Sequence, residues 1–425
     1  MRYRRPMFRA NQSRGLVVWG FLCFVAVACA SGEGVDSVIE SSAQPVPTVV
    51  EPAVPVTEAS TTTIEPTTTA TSTLPPRSAL ECASDIALEV RLGQLLFPVI
   101  VQSELPAATA LAEQGLIGGV VVLGKPTAEI AAGITDLQSR SMVSPSIVAV
   151  DEEGGRVQRL DQLVGAVPSA RQVATQFTAD EARALAEEHA AEVAALGFTM
   201  NLAPVVDLDN GSFIGDRSFG ANPDVVTNYA FATADGIRAG GLTPVVKHFP
   251  GHGRGADSHT GLPSLPELEV LRDSDLVPFV RAIDRGDLPI MVGHLVVAGL
   301  TRGKPATLSV EAIDGLLRTE LGFDGLVMTD ALNMDAISAT TNNAEAAEQA
   351  LIAGVDLVML GSLAQTEATI DHLLEAVGSG RLDEQSVNSS LLRVLDERQI
   401  ELCSLPAELL PAIGCQPDRG GCPAG

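Results

Sequence analysis

The sequence predicts an α/β protein whose folded part is a single closed (β/α)8, TIM-type barrel, set behind an export signal and a disordered linker. Three observations lead there. Eight short apolar, β-branched runs recur along the chain; longer Ala/Leu/Glu-rich amphipathic stretches separate them; and residues 80–402, which carry both, are too long for an ordinary domain but normal for such a barrel. An open doubly wound sheet is the alternative, and eight strand–helix units favour the barrel.

In chain order the strand-like runs are Leu95 to Val101, Gly118 to Leu123, Ser146 to Val150, Phe198 to Leu202, Thr243 to Val246, Leu288 to Val292, Gly325 to Met328 and Val355 to Leu360. Their continuous apolar composition suits strands buried on both faces. Segments such as Ala179 to Leu196 and Asn343 to Ala353 are the helices expected between them.

Residues 1–29 have a basic start, an apolar run from Leu16 to Ala28 and then Cys29, the pattern of a secretory signal too short to span a membrane comfortably. The end of that run, Ala26-Val27-Ala28-Cys29, resembles a bacterial lipobox, which implies acylation of Cys29 and export to the membrane surface or cell wall. An ordinary cleaved signal with an incidental cysteine is the other reading. Residues 30–79 are dominated by Pro, Thr, Ser, Val, Ala and Glu without periodicity, and are expected to form a disordered tether.

A formal net charge of −26 excludes a nucleic-acid partner, since phosphate binding needs a basic face, and argues against docking on anionic lipid through the protein surface. Membrane contact is therefore expected only through the N-terminal lipid, and the protein is expected to be a monomer. Setting aside Cys23 in the signal and Cys29 leaves Cys82, Cys403, Cys415 and Cys422 as disulfide candidates. The favoured pairing joins Cys82 to Cys403 across the two ends of the domain and Cys415 to Cys422 within a Cys/Gly/Pro-rich tail at 403–425.

In such barrels the site lies at the C-terminal ends of the strands, and the polar residues collect there. The third strand runs into Asp151-Glu152-Glu153-Gly154-Gly155-Arg156-Val157-Gln158-Arg159, and the loop after the fourth carries Gly215-Asp216-Arg217-Ser218-Phe219-Gly220. The fifth ends in Lys247-His248-Phe249-Pro250-Gly251-His252-Gly253-Arg254-Gly255-Ala256-Asp257-Ser258-His259, the sixth in Gly293-His294 and the seventh in Thr329-Asp330. Three of the six histidines lie between 247 and 259, a density of titratable groups that a core strand would not carry.

These blocks, with Asn201-Leu202-Ala203-Pro204-Val205-Val206-Asp207, resemble family 3 glycoside hydrolases over about residues 85 to 400, and specifically the single-domain exo-acting β-N-acetylglucosaminidases of bacterial lipoprotein type. The resemblance implies a retaining mechanism with Asp330 as nucleophile and His259, paired with Asp257, as acid and base. From the residues alone Asp330 is equally an N-cap for the segment after it. The resemblance also implies that Asp151, Arg159, Arg217, Lys247 and His248 hold the sugar, with His294 close by, and that no metal or other cofactor is needed. The loop from His248 to His259 looks slightly short against the family pattern, with Gly253 and Gly255 to keep it flexible.

Blander roles are weighed beside these. Arg217 could pair with Asp216 or Asp151; Glu152 and Glu153 read as solvated or supporting; His252 and Phe249 as shaping the loop; His189 and His372, on helices, as exposed. The folded part keeps Tyr229 as its sole tyrosine and no tryptophan, so a long stacking platform is not expected, and a pocket for one terminal sugar of a small, N-acetylglucosamine-containing cell-wall fragment is. Rival functions are a metal-dependent, amidohydrolase-like barrel built on the same histidines, a β-glucosidase or β-xylosidase of the same family, and a non-catalytic sugar-binding lipoprotein.

Overall fold

The computed structural model describes residues 78–211 and 213–404. The signal with Cys29, the linker, and Cys415 and Cys422 of the tail lie outside the described residues. In chain order the strands are β1 (Val99–Val101), β2 (Gly119–Leu123), β3 (Ile147–Val150), β4 (Glu152–Gly154), β5 (Val157–Gln158), β6 (Met200–Asn201), β7 (Thr243–Pro244), β8 (Val246–Phe249), β9 (Ser264–Glu267), β10 (Ile290–Val292), β11 (Val296–Ala298) and β12 (Val327–Thr329).

These strands make a five-stranded parallel sheet, in the order β1-β2-β3-β6-β7, a three-stranded parallel sheet, β12-β10-β8, and two two-stranded pairs, parallel β11-β9 and antiparallel β4-β5. Val355 to Leu360, expected as the eighth strand, does not form a regular one. Isolated parallel bridges instead join Leu96 to Val358, Met328 to Leu357 and Val205 to Lys247. Single backbone bonds run beside them, from Phe97 N–H to the Val358 carbonyl at 2.9 Å and from Leu360 N–H to the Phe97 carbonyl at 3.1 Å. Proline supplies the physical reason at Leu96–Val358 and Val205–Lys247, while beside Met328–Leu357 the Asp356 carboxylate takes the Val327 N–H at 2.8 Å. Pro98, Pro204 and Pro244 each remove a donor from within or beside a strand.

The core shows the two-residue alternation of strands buried on both faces. Val121 and Ala149 join one cluster with Met200, Val246, Met291, Met328 and Leu357. Their neighbours Val120, Val122, Val148 and Val150 face the other way, into a cluster with Ile130, Ile134, Leu137 and Val193 from the surrounding helices. The helix Ala179–Ala195 starts on a capping box, the Thr178 hydroxyl taking the Glu181 N–H and the Glu181 carboxylate taking the Thr178 N–H. The helix Asn343–Ala353 ends on Gly354 at φ 104°, a left-handed position that a side chain would strain.

Cys82, in the helix Ala79–Ser84, is bonded to Cys403, with 5.5 Å between Cα atoms and 321 residues between them in sequence. The same helix is tied to Glu384–Glu397 by the Asn388 amide, which donates to the Ser84 hydroxyl at 3.3 Å. Closing so long a loop constrains the unfolded chain strongly. A Cys82→Ser variant is expected to lose about 2–5 kcal/mol of unfolding free energy. Urea midpoints measured without reductant would test this, and an unchanged midpoint would assign the bond no part in stability.

Candidate active site

Beyond the C-terminal ends of the parallel strands lies a cavity of about 270 Å³. Its apolar floor is built from Val99, Val121, Leu123 and Met291 of the strands with Leu202 and Met359 beside them, and its polar wall includes Asp151, Glu153, Arg159, Arg217, Lys247, His248, His259 and Asp330. Chain segments far apart in sequence meet here because parallel strands all end on the same side.

The wall is an alternating charge network. Lys247 Nζ donates to Asp151 Oδ1 at 2.7 Å and reaches Glu153 Oε1 at 2.7 Å, while Glu153 takes Arg217 in a two-pronged pair through Nε at 2.7 Å and Nη2 at 2.8 Å. Arg159 Nη2 adds a weak bond to Asp151 at 3.4 Å, and its buried Nε has no hydrogen-bond partner. Burial favours the neutral form of Glu153, yet Lys247 and Arg217 outweigh it and hold the carboxyl far below its ordinary range. Burial also opposes the Lys247 charge, and Asp151 and Glu153 overcome it, so the ammonium's pKa is raised.

Of the two readings open for Glu152 and Glu153, solvated or supporting, the geometry realises the supporting one, since Glu152 is buried and the Glu153 side chain is 3% exposed. Glu153, not Asp216 or Asp151, is the partner of Arg217, and Asp216 instead pairs with Arg156 at 3.0 Å. Glu152 points the opposite way. Its Oε1 accepts the backbone N–H groups of Arg159 at 2.5 Å and Leu160 at 2.7 Å, and its Oε2 lies 3.0 Å from His189 Nε2. His189 is therefore buried rather than exposed, and His372, also expected at the surface, pairs with Glu348 at 2.5 Å. The antiparallel pair β4 and β5, absent from the sequence reading, is what turns Glu152 and Glu153 to opposite sides.

Asp207, quoted in the sequence motif without a role, orders the histidines. It is fully buried; its Oδ2 accepts from His248 Nδ1 at 2.7 Å, and its Oδ1 accepts the N–H groups of His248 at 3.2 Å and His252 at 2.7 Å. With Nδ1 carrying the proton, His248 presents Nε2 to the cavity, 3.5 Å from Arg217 Nη2.

Asp330 follows β12 and lines the cavity. Its carboxylate accepts the Ala331 N–H at 2.8 Å, and Met334, not Asp330, precedes the next helix, so the N-cap alternative is not realised. Burial raises the Asp330 pKa, but His248, His294, the Ala331 N–H and Lys247 together lower it below the usual carboxylate value, leaving an ionised group.

His259 and Asp257 meet as a pair at the cavity mouth. The Asp257 Oδ1 accepts from His259 Nδ1 at 2.8 Å and from its N–H at 3.0 Å, and two thirds of the His259 side chain is exposed. This leaves Nε2 as the nitrogen directed to solvent or ligand.

His294 departs from expectation. It is fully buried and does not reach the cavity. Its Nε2 donates to the Ala331 carbonyl at 3.0 Å, and its Nδ1 lies 2.7 Å from the Thr307 hydroxyl. Both ring nitrogens are committed, so the side chain supports the turn behind Asp330 rather than touching a ligand. Among the described residues no group of three or more His, Cys, Asp or Glu side chains is placed to hold a metal ion.

Residues 87–396 match the family described as the Glycosyl hydrolase family 3 N terminal domain. Over 334 residues the chain is 40% identical to beta-hexosaminidase LpqI of Mycobacterium tuberculosis, covering 75% of this chain and 85% of that protein. The crystal structure of a family 3 glycosyl hydrolase from Mycobacterium smegmatis is similar with a TM-score of 0.71 and 39% identity, covering 74% of this chain and 98% of that one. A family 3 β-N-acetylglucosaminidase from Paenibacillus is similar with a TM-score of 0.69 and 35% identity, covering 77% of this chain and 68% of that one.

Proposed function

This chain belongs to glycosyl hydrolase family 3, and on that premise we propose that it is a retaining exo-β-N-acetylglucosaminidase that releases terminal β-linked N-acetylglucosamine from peptidoglycan-derived fragments. The observation that carries the reading is one cavity holding an ionised strand-end carboxylate, Asp330, with a histidine–aspartate pair at its mouth. The Asp330 carboxylate attacks the anomeric carbon while His259 Nε2–H passes its proton to the leaving oxygen, giving a glycosyl–Asp330 ester and a released alcohol. His259, now neutral, takes a proton from water; the hydroxide attacks the same carbon, the ester bond breaks, and the sugar leaves with its configuration retained. Asp257 accepts from Nδ1–H and so fixes the ring with Nε2 as the nitrogen left for the leaving oxygen.

Lys247, Asp151, Arg217, Arg159 and His248 supply the directional hydrogen bonds that a neutral polyhydroxylated ring requires. The small cavity and the scarcity of aromatic residues favour one terminal sugar over a long chain. We read the bridges Leu96–Val358, Met328–Leu357 and Val205–Lys247 as the seams of a closed barrel. Residues 1–29, with Cys29 as the acylation point, would anchor a monomeric enzyme outside the cytoplasm through the 30–79 tether. This placement is what favours a cell-wall substrate.

The full chain is expected to release nitrophenol from the β-N-acetylglucosaminide and not from the β-glucoside, with no effect of a chelator. Loss of activity with chelator would favour the metal-dependent hydrolase, and cleavage of neither glycoside would favour a sugar-binding protein.

A further inference from the structure

One histidine of the cavity has no part in the chemistry above. His252 is 1% exposed, and its ring stands edge-on to Phe213 at 4.7 Å and to His248 at 5.8 Å between centroids. Its Nδ1 has no hydrogen-bond partner, and its Nε2 lies 3.3 Å from the Ser258 hydroxyl. Burial lowers its pKa to about 4, so the ring is neutral near pH 7 and suited to a single uncharged hydrogen bond.

Ser258 sits between the two members of the acid–base pair and is buried where they are not. It is 2% exposed, against 39% for the Asp257 side chain and 66% for that of His259. Among the described residues, every hydrogen bond of Asp257 and His259 is made within residues 257–260. The pair is thus ordered within itself yet not tied to the protein body. Among the described residues, the hydrogen bonds that leave the stretch 256–262 are both made by Ser258: the one to His252, and one in which its carbonyl accepts the Ala336 N–H at 3.3 Å. Ala336 lies in the short helix Asp335–Ser338 that follows Asp330. The far end of the contact is firm, because the His252 N–H is held by Asp207 and Arg254 Nε is held at 2.7 Å by the fully buried Asp275.

We propose that Ser258 and His252 form a clasp that positions His259 over the bond to be broken, fixing the acid–base loop relative to the loop that carries Asp330. Both are positioning residues acting through His259, and the proposal rests on the reading of His259 as the acid. In the first step, which kcat/KM reports, a clasp of this kind matters only when the leaving group needs a proton; in the second, where His259 is the base, it matters equally for every substrate. Activated aryl groups leave without a proton, whereas alkyl and sugar alcohols do not.

The test compares the full-length protein with its Ser258→Ala variant on the methyl and the dinitrophenyl β-N-acetylglucosaminides. The clasp predicts a loss in kcat/KM of about 10- to 100-fold on the methyl glycoside, with the dinitrophenyl kcat/KM kept within about 3-fold. His252→Gln, which keeps a polar group facing Ser258, is expected to retain more methyl-glycoside activity than His252→Leu. Equal losses on both substrates, or no loss on either, would overturn the clasp. His259→Ala run beside them separates the two levels. If it splits the substrates and Ser258→Ala does not, the clasp alone fails; if His259→Ala shows no split, the acid assignment fails and takes the clasp with it.

Discussion

Replacing Asp330 by Ala is expected to lower turnover by on the order of 10⁴-fold or more, with the fold intact. The size of the effect follows from the proposed role: no other carboxylate of the cavity stands free of a cation to attack in its place. Asp151 is bound to Lys247 and Arg159, and Glu153 to Lys247 and Arg217. Asp330 by contrast gives its hydrogen bonding to one backbone N–H and is kept ionised by neighbouring histidines and Lys247. Folding should survive, because the carboxylate caps no helix and the removed bond to Ala331 is local. Far-ultraviolet circular dichroism would check the fold and aryl-glycoside hydrolysis the rate. Azide supplied to the variant should restore part of the activity and yield a glycosyl azide of inverted configuration, since a small anion can enter from the side that Asp330 vacates. Near-normal turnover in the Ala variant would remove the nucleophile assignment.

The parts of this site that were legible in the sequence are those where chemistry and chain direction coincide. The apolar run Thr243 to Val246, followed by histidines and glycines, reads as a buried strand opening into a loop; in the structure the strand runs on through Lys247 and His248 to Phe249, and Lys247, His248 and His259 line the cavity beyond it. The consecutive acids Glu152 and Glu153 left two readings open, solvated or supporting, because adjacent acidic residues usually mark a solvated turn. In β4 they alternate instead, one toward His189 and one into the cavity, and both are buried because each has charged or N–H partners. His294 misled outright. Its backbone is at a strand end, but the Thr307 hydroxyl and Ala331 carbonyl, from separate loops, capture both ring nitrogens. Asp207 carries no local signal beyond its place after an apolar run, and its role appears only when residues 201 to 207 and 247 to 252 are brought side by side. The last strand-like run, Val355 to Leu360, is apolar enough to be read correctly as buried, yet it pairs by single bridges because Asp356 spends its carboxylate on the Val327 N–H, Arg318, Ser390 and Arg393.

The second large effect is expected at Glu153, a residue with no proposed contact to the reacting carbon. Glu153→Gln takes one negative charge from between Arg217 and Lys247, leaving Asp151 to balance both. Removing one partner of a buried ion pair strands the other, so the variant is expected to lose about 3–5 kcal/mol of stability. It should also raise KM more than it lowers kcat, because Arg217 and Lys247 lose the group that aims them at the sugar rather than a group that bonds to it. The pH dependence fixes the sign. Lys247 and Arg217 overcome burial and depress the folded carboxyl below its ordinary value of 4.5, so in the unfolded chain the group binds protons more readily. Its contribution is therefore complete above the unfolded value and is lost as pH falls from there toward the folded one. The gap in unfolding free energy between the protein and the variant should be constant at neutral pH and narrow below about pH 4.5, where the unfolded carboxyl begins to hold its proton. Urea titrations at pH 7 and pH 4 would read both values. A gap that widened on acidification would mean that Glu153 is held neutral by burial, and Arg217 and Lys247 would then need another counter-charge, one that Asp151 alone cannot supply to two cations.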